Sequence, residues 1–354
     1  LKVGIPRALI YYKFGEAFES FFKALGVEVV VSPHTNKKIK ELAVSLAPNE
    51  DCYSTKLYFG HVMAIKDEVD YLFIPRFGGQ DKRNVGCPKF IGLAEVLRSM
   101  FPDLPPIIMP HYNRAKGREG AIGFFLNQVN LNGDFKINLF FKAMKIGFLF
   151  TKNPFKIIRA FRKAVKKYKQ KKKELIVSEE KLVKWENSEI YLNDPPKVND
   201  GERPLKIALV GHSYVLNDPY SSLSLRKLLQ EYGCDIVTSE QIPRNLIEKQ
   251  MKKQYFQIYF DYEREILGTV MHYLEHKNID GIIQLMVFSC GPDSVAGEMA
   301  LQYSKRDPIV PLLQLVFDEL TVETGLKTRI EAFVDMLRRR DKAEPVYVTA
   351  KAHI

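Results

Sequence analysis

Two successive α/β domains of Rossmann-like or flavodoxin-like layering, separated by a helical insertion, are predicted by three features of the sequence. An order of strands and helices occurs twice, the strand segments are apolar on both faces, and a lysine-rich helical stretch lies between the copies. In the first copy a short strand in KVGIPRALIYY (2–12) leads to an amphipathic helix, EAFESFFKALG (16–26), and then to the strand VEVVVSP (27–33). In the second copy KIALVGHSYVL (206–216) is followed by SSLSLRKLLQEYG (221–233) and CDIVTSE (234–240). Both helices stop at a glycine suited to the left-handed C′ position. After a further helical stretch come third strands at 70–75 (DYLFIP) and 280–288 (DGIIQLMVF), and fourth strands at 106–109 and 309–315. Strands alternating with helices require parallel pairing and right-handed crossovers. The domains are accordingly placed at 1–111 and 205–354, with insertion and linker at 112–204. The linker is the polar, proline-rich NDPPKVNDGERP (193–204).

A chain of 354 residues suits two domains at roughly 150 residues each. Its 46% hydrophobic and 27% charged composition is that of an ordinary globular protein. No run of eighteen or more apolar residues occurs, since 121–150 is interrupted by Asn127, Asn130, Asp134, Lys136, Lys142 and Lys145. The opening LKVGIP reads as a first strand rather than a leader. Four cysteines without close pairing make no disulfide framework, so the expectation is a soluble protein of the reducing cytoplasm. The net charge of +11 is concentrated in 156–173, where ten lysines and arginines occur without an acid. Ile157, Ile158, Phe161, Val165 and Tyr168 recur there at helical spacing, giving a helix with one basic face. That face is either simply solvated or a docking surface for an acidic or phosphorylated partner. No nucleic-acid signature accompanies it.

In open parallel sheets ligands bind beyond the carboxyl ends of the strands. Cys87 has that address, after the strand at 70–75 and directly before Pro88, a residue favoured at the first helical position. Cys290 has the same address in the second copy, after 280–288 and before Gly291, Pro292 and Asp293. Cys52 precedes a helical stretch at 53–66. A helix N-terminus favours thiolate over thiol, which is the form that binds metal. Cys234 aligns with Val27 of the first copy and is assigned to the core. Two metals fit three such thiols. Zinc would be completed by His61 or His212, although no C-x-x-C knuckle is present. An iron–sulfur cluster on three thiolates would leave one iron open.

The stretches GIPRALIYYKFGEAFESFF, EDCYSTKLYFGHV, DYLFIPRF, GCPKFIGL, GHSYVLNDPY and FSCGPDS, spanning residues 4 to 294, resemble the 2-hydroxyacyl-CoA dehydratase and benzoyl-CoA reductase family. They resemble in particular the related domain found fused to or alongside CoA-enzyme activases, and FDELTVETGLKTRIEAFVDML (317–337) looks like the end of that domain. The resemblance implies a 4Fe-4S cluster held by Cys52, Cys87 and Cys290 in the interdomain cleft. It also implies a separate ATP-hydrolysing iron–sulfur activator that reduces the cluster, and a small substrate, CoA-linked in the family. The double-cubane cluster proteins among these relatives use further cysteines that this chain lacks. A homodimer is the expected assembly.

Three further residues are singled out for catalysis. His212, at the end of the second copy's first strand, suits an acid, a hydrogen-bond donor or a fourth ligand, and equally a structural hydrogen bond across its loop. Arg7, at the corresponding turn of the first copy, suits an anionic substrate or an interface ion pair. Ser289, like Ser54, adjoins a ligand cysteine and suits the open iron or helix capping. Neither a Walker A motif nor G-x-G-x-x-G follows a first strand, so ATP and NAD binding by this chain are unsupported. The functions expected are therefore a low-potential reductase or dehydratase-like component, an electron relay, or a zinc-stabilised binding protein.

Overall fold

A computed structural model describes residues 1–78, 85–112, 135–198 and 201–342, so the start of the expected insertion at 113–134 lies outside the described residues. Strands β1 (Lys2–Ile5), β2 (Glu28–Val31), β3 (Tyr71–Phe73) and β5 (Ile107–Ile108) form one parallel sheet in the order β2-β1-β3-β5. Strands β7 (Leu205–Val210), β8 (Cys234–Thr238), β9 (Gly281–Val287) and β10 (Leu312–Phe317) form another in the order β10-β9-β7-β8. Read within each copy, both orders place the second strand, then the first, third and fourth, which is flavodoxin-like. Register is set by pairs such as Val3↔Val29, Gly4↔Leu72 and Ala208↔Ile282. The helices α1 (Tyr11–Ala24), α2 (Lys37–Leu46), α3 (Tyr53–Met63) and α4 (Pro88–Met100) belong to the first sheet. A two-stranded pairing of β4 (Arg76–Phe77) with β6 (His111–Tyr112) has no counterpart in the expectation.

The glycine stops are present. Gly26 and Gly233 both have φ of +78°. After α1 the Val27 amide donates to Phe22 O and the Gly26 amide to Lys23 O, both at 3.1 Å, closing a Schellman motif. Helix starts differ from the periodicity. Helix α1 begins at Tyr11 rather than 16, because the buried turn Ala8–Ile10 already accepts the amides of Tyr11 to Phe14. In the second copy a four-residue helix α8 (Ser213–Leu216) precedes α9 (Leu225–Glu231). The later start of α9 arises because Asp218 Oδ1 takes the amides of Tyr220 and Ser221 in a capped turn, after which Leu223 and Ser224 turn left-handed.

Between the sheets lie α5 (Phe135–Gly147), α6 (Pro154–Leu175) and α7 (Glu179–Glu186). Helix α6 presses Ile157 and Ala160 into the first domain's core beside Phe21 and Phe22, and its Lys167 and Lys171 reach Glu16 at 3.1 and 3.2 Å. Helix α7 turns to the second domain, where fully buried Trp185 donates to Asp235 Oδ2 at 2.7 Å. The second sheet's remaining helices are α10 (Arg244–Met251), α11 (Asp261–His276), α12 (Gly291–Arg306) and α13 (Glu323–Lys342). The largest apolar cluster crosses between the domains, joining Leu57 and Phe90 of the first with Tyr214 and Leu285 of the second. Among the described residues no helix is long and apolar enough to cross a membrane.

Helices α2 and α3 pack closely at Gly60, where a Cβ would run into the Ile39 carbonyl oxygen and lie 3.1 Å from Ile39 Cγ2. Gly60→Ala is expected to cost about 1–3 kcal/mol by overpacking. Gly92→Ala on α4, where nothing lies within 4 Å, is expected to be neutral or to stabilise by up to about 1 kcal/mol. Urea midpoints at constant m-value measure both, and equal midpoints for the two variants would contradict the packing.

Candidate metal centre

The three candidate cysteines each occupy the residue before a helix. Cys52 is the N-cap of α3, Cys87 that of α4 and Cys290 that of α12, and none of the caps makes a side-chain capping bond. The N-termini of three helices, with their positive dipole ends, therefore lie beside the sulfurs. The thiols converge from the two domains closely enough for Cys290 to bear on the ionisation of Cys52, and for both to bear on that of Cys87. Cys234 lies fully buried on β8, in the core as expected.

Backbone contacts fix this convergence. The Tyr53 amide donates to Phe288 O at 2.9 Å, and Ser289 Oγ donates to Glu50 O at 3.1 Å, so the Cys52 and Cys290 loops hold each other. The Val85 amide donates to Tyr259 O at 2.7 Å and Val85 O accepts from Asp261 at 3.3 Å, tying the approach to Cys87 to the start of α11. Lys56, one turn into α3, reaches Glu319 of the second domain at 2.7 Å.

His212, at the end of β7, is brought to the thiols. Its ring stacks on Tyr214 with centroids 4.9 Å apart and meets the edge of Tyr262 at 5.2 Å, while Phe90 packs against both tyrosines. Its Nε2 lies 3.5 Å from Asp293 Oδ2, which accepts the Val287 amide at 2.8 Å. Ligand atoms of His212, Glu263 and Cys290 all lie within 4.8 Å of one another. Neither His212 nitrogen has a hydrogen-bond partner by strict geometry, and Asp293 Oδ1 also lacks one. The other candidates are engaged elsewhere. Arg7 Nε donates to Ser32 O at 3.1 Å and its guanidinium covers the Tyr11 ring, within the first domain. Ser289 spends its hydroxyl on Glu50. His61 is fully buried with its Nδ1 2.9 Å from Ser32 Oγ and its Nε2 3.0 Å from Thr35 Oγ1, so neither nitrogen is left for metal.

Sequence reasoning passed over Glu263, Asp293 and the aromatic wall. Asp293 was within reach as an acid in the first turn after a candidate cysteine. Glu263 sits on a helix that carries no motif, and its nearness to Cys290 arises only from tertiary folding.

Burial raises the Cys52 thiol, against hydrogen bonding from Thr55, and pushes Cys87 up to about 11. Without an added positive charge these groups stay neutral thiols, so the helix dipoles alone do not ionise them. Burial opposes a charge on His212, but Asp293, Cys290 and Glu263 outweigh it and hold the imidazole well above its ordinary range. In that form the ring offers two N–H donors and no lone pair to a metal. Burial likewise raises Glu263.

Fold and site together define a two-domain α/β protein with a thiol-rich centre between the carboxyl ends of its two sheets. A family model described as CoA enzyme activase uncharacterised domain matches residues 2–242, well over half of the chain, and the chain belongs to that family. The match takes in Cys52, Cys87 and His212 and ends before Cys290. No curated protein matches the chain.

The hydrogen bonds around His61 form a directed chain. Thr35 Oγ1 donates to Asp218 Oδ2 at 2.5 Å, so it accepts from His61 Nε2–H, and His61 Nδ1 accepts from Ser32 Oγ, which itself takes the Arg7 amide at 2.7 Å. Burial, with Arg7 nearby, lowers His61 to about 3. A histidine depressed on folding contributes stability that is complete above its unfolded value near 6.5 and is lost as pH falls toward 3. Stability is expected to fall between pH 6.5 and 4 by at most about 1.4 kcal/mol per pH unit from this group. His61→Gln should flatten the slope in chemical denaturation, and an unchanged slope would remove His61 from the account.

Proposed function

We propose that Cys52, Cys87 and Cys290 hold a 4Fe-4S cluster between the domains. On this reading the protein is a low-potential reductase or dehydratase-like component, reduced by an ATP-hydrolysing iron–sulfur activator and acting on a small, CoA-linked substrate. The observation that carries the reading is the convergence of three helix-entry thiols from two domains. The family's description, with its link to CoA enzyme activases, supports the activator and the CoA context.

The spread of the donors favours a cluster over a single ion. Among the described residues only His212, Glu263 and Cys290 gather three ligand atoms within 4.8 Å of one another, so the three sulfurs are not all that close together. Thiolates sharing one zinc at about 2.3 Å would stand only about 3.8 Å apart. Thiolates on different irons stand farther apart. A second reading, one divalent ion on His212, Glu263 and Cys290, has that 4.8 Å grouping in its favour. It leaves Cys52 and Cys87 without a role and requires His212 to lose its proton.

When bound, the cluster would supply one-electron chemistry at low potential. The chain's own residues exclude water through Phe90, Tyr214 and Tyr262, and His212, paired with Asp293, holds a proton on a ring facing Cys290. Hydrogen bonds to sulfur and local positive charge tune such a centre.

After anaerobic purification, about four iron and four sulfide per chain are expected. Cys52→Ser, Cys87→Ser and Cys290→Ser should each lower both, while Cys234→Val, altering only the core, should leave the absorption spectrum intact. Stoichiometric zinc without sulfide would establish the single-ion reading instead. The exposed face of α6 supplies a second test: replacing Lys163, Lys166, Lys169 and Lys173 by Glu should slow association with a reduced activator without changing the spectrum. The effect should fade as salt rises beyond 0.1 M, where the screening length is about 10 Å. An association rate indifferent to both would leave α6 as a solvated helix.

A further inference from the structure

The two domains repeat more than their sheet order. In each, a helical hairpin joins the second strand to the third, α2 and α3 in the first domain and α10 and α11 in the second, and one helix joins the third strand to the fourth, α4 and α12. Three of these four helix entries carry the thiols, since Cys52 caps α3, Cys87 caps α4 and Cys290 caps α12. The fourth entry, that of α11, has Phe260 at its cap and Glu263 in its first turn.

The α11 entry also stands at the site. Glu263 is 6% exposed and its carboxylate lies within 4.8 Å of the Cys290 sulfur. The strand-like pairing of Val85 with Phe260 fixes α11 against the segment that leads into Cys87. His212, the other group within that distance, belongs to the turn after β7, outside the four repeated helix entries, whereas Glu263 lies in the first turn of the fourth. We propose that Glu263 is the fourth protein ligand of the centre, occupying the corner at which the repeat would place a fourth thiolate. The inference rests on the cluster reading above.

A carboxylate is a hard donor among soft thiolates, so the iron it holds is the one that exchanges with an incoming ligand, while the three thiolate-bound irons stay fixed. A carboxylate-bearing or phosphate-bearing substrate would compete for that iron by the same oxygen chemistry.

The test follows iron loss from the anaerobically purified full chain. Ferricyanide takes one electron from an oxidised four-iron cluster as one ferrous ion departs, leaving a three-iron cluster with its own paramagnetic resonance signal. Relative to wild type, Glu263→Ala is expected to form the three-iron signal about tenfold faster, and Glu263→Cys, which supplies a fourth thiolate, about tenfold more slowly. Glu263→Gln, of the same shape, should resemble the alanine variant, and far-ultraviolet circular dichroism confirms that each variant is folded. Equal rates in all four proteins, each starting with four iron and four sulfide, would overturn the role of Glu263 and leave the cluster standing. Wild-type protein without iron and sulfide would overturn the cluster reading and this inference together.

Discussion

The Tyr53 amide donating to the Phe288 carbonyl at 2.9 Å joins the first turn of the helix behind Cys52 to the loop that carries Cys290. Val85 and Tyr259 repeat the device beside Cys87. These main-chain bonds do not depend on which side chains surround them, and they hold the carboxyl ends of two separate sheets at one place. A thiol centre shared between domains exists only while that seam is closed. The seam is closed by a continuous apolar core, in which Leu57 and Phe90 meet Tyr214 and Leu285, so separating the domains would expose surface that is otherwise fully buried.

Burying charge at such a seam is costly unless each charge has a partner. Lys13 illustrates the solution. Burial opposes its charge, yet Glu265 at 3.0 Å and the Tyr262 ring 4.2 Å from its Nζ hold it protonated above its ordinary range. Lys56 with Glu319 and Thr35 with Asp218 are likewise pairs drawn from opposite domains. Each is satisfied only in the assembled form, so the polar contacts select one relative placement of the domains as well as stabilising it. Tyr262 belongs both to this network and to the aromatic wall around His212, which links domain placement to the surroundings of the thiols.

What the sequence disclosed follows from the range of the interactions involved. Gly26 and Gly233 mark helix ends through a backbone conformation that one residue controls, and the strands at 70–75 and 280–288 announce themselves by local apolar runs; both are present. Cys52, Cys87 and Cys290 were legible as helix entries because Pro88 and the repeat give their addresses. The Thr35–Asp218 bond spans 183 residues and Lys13–Glu265 spans 252, and no local pattern encodes a partner at such distance. The late start of α9 was hidden for another reason: Asp218 competes for the amides that a periodic pattern assigns to a helix.

The repeat also accounts for the asymmetry of the centre. A duplicated fold brings equivalent helix entries toward one cleft, so a shared site is a geometric consequence of facing the two sheets, whatever residues stand there. The first domain fills its two entries with sulfur, at Cys52 and Cys87. The second fills one with Cys290 and surrounds the other with Glu263, His212 and Asp293, whose oxygen and nitrogen atoms are harder donors than sulfur. The first half thus presents thiols alone at its two entries, and the second adds oxygen and nitrogen donors beside its thiol. A duplicated fold whose halves diverge in this way sets soft and hard donors side by side at a single seam.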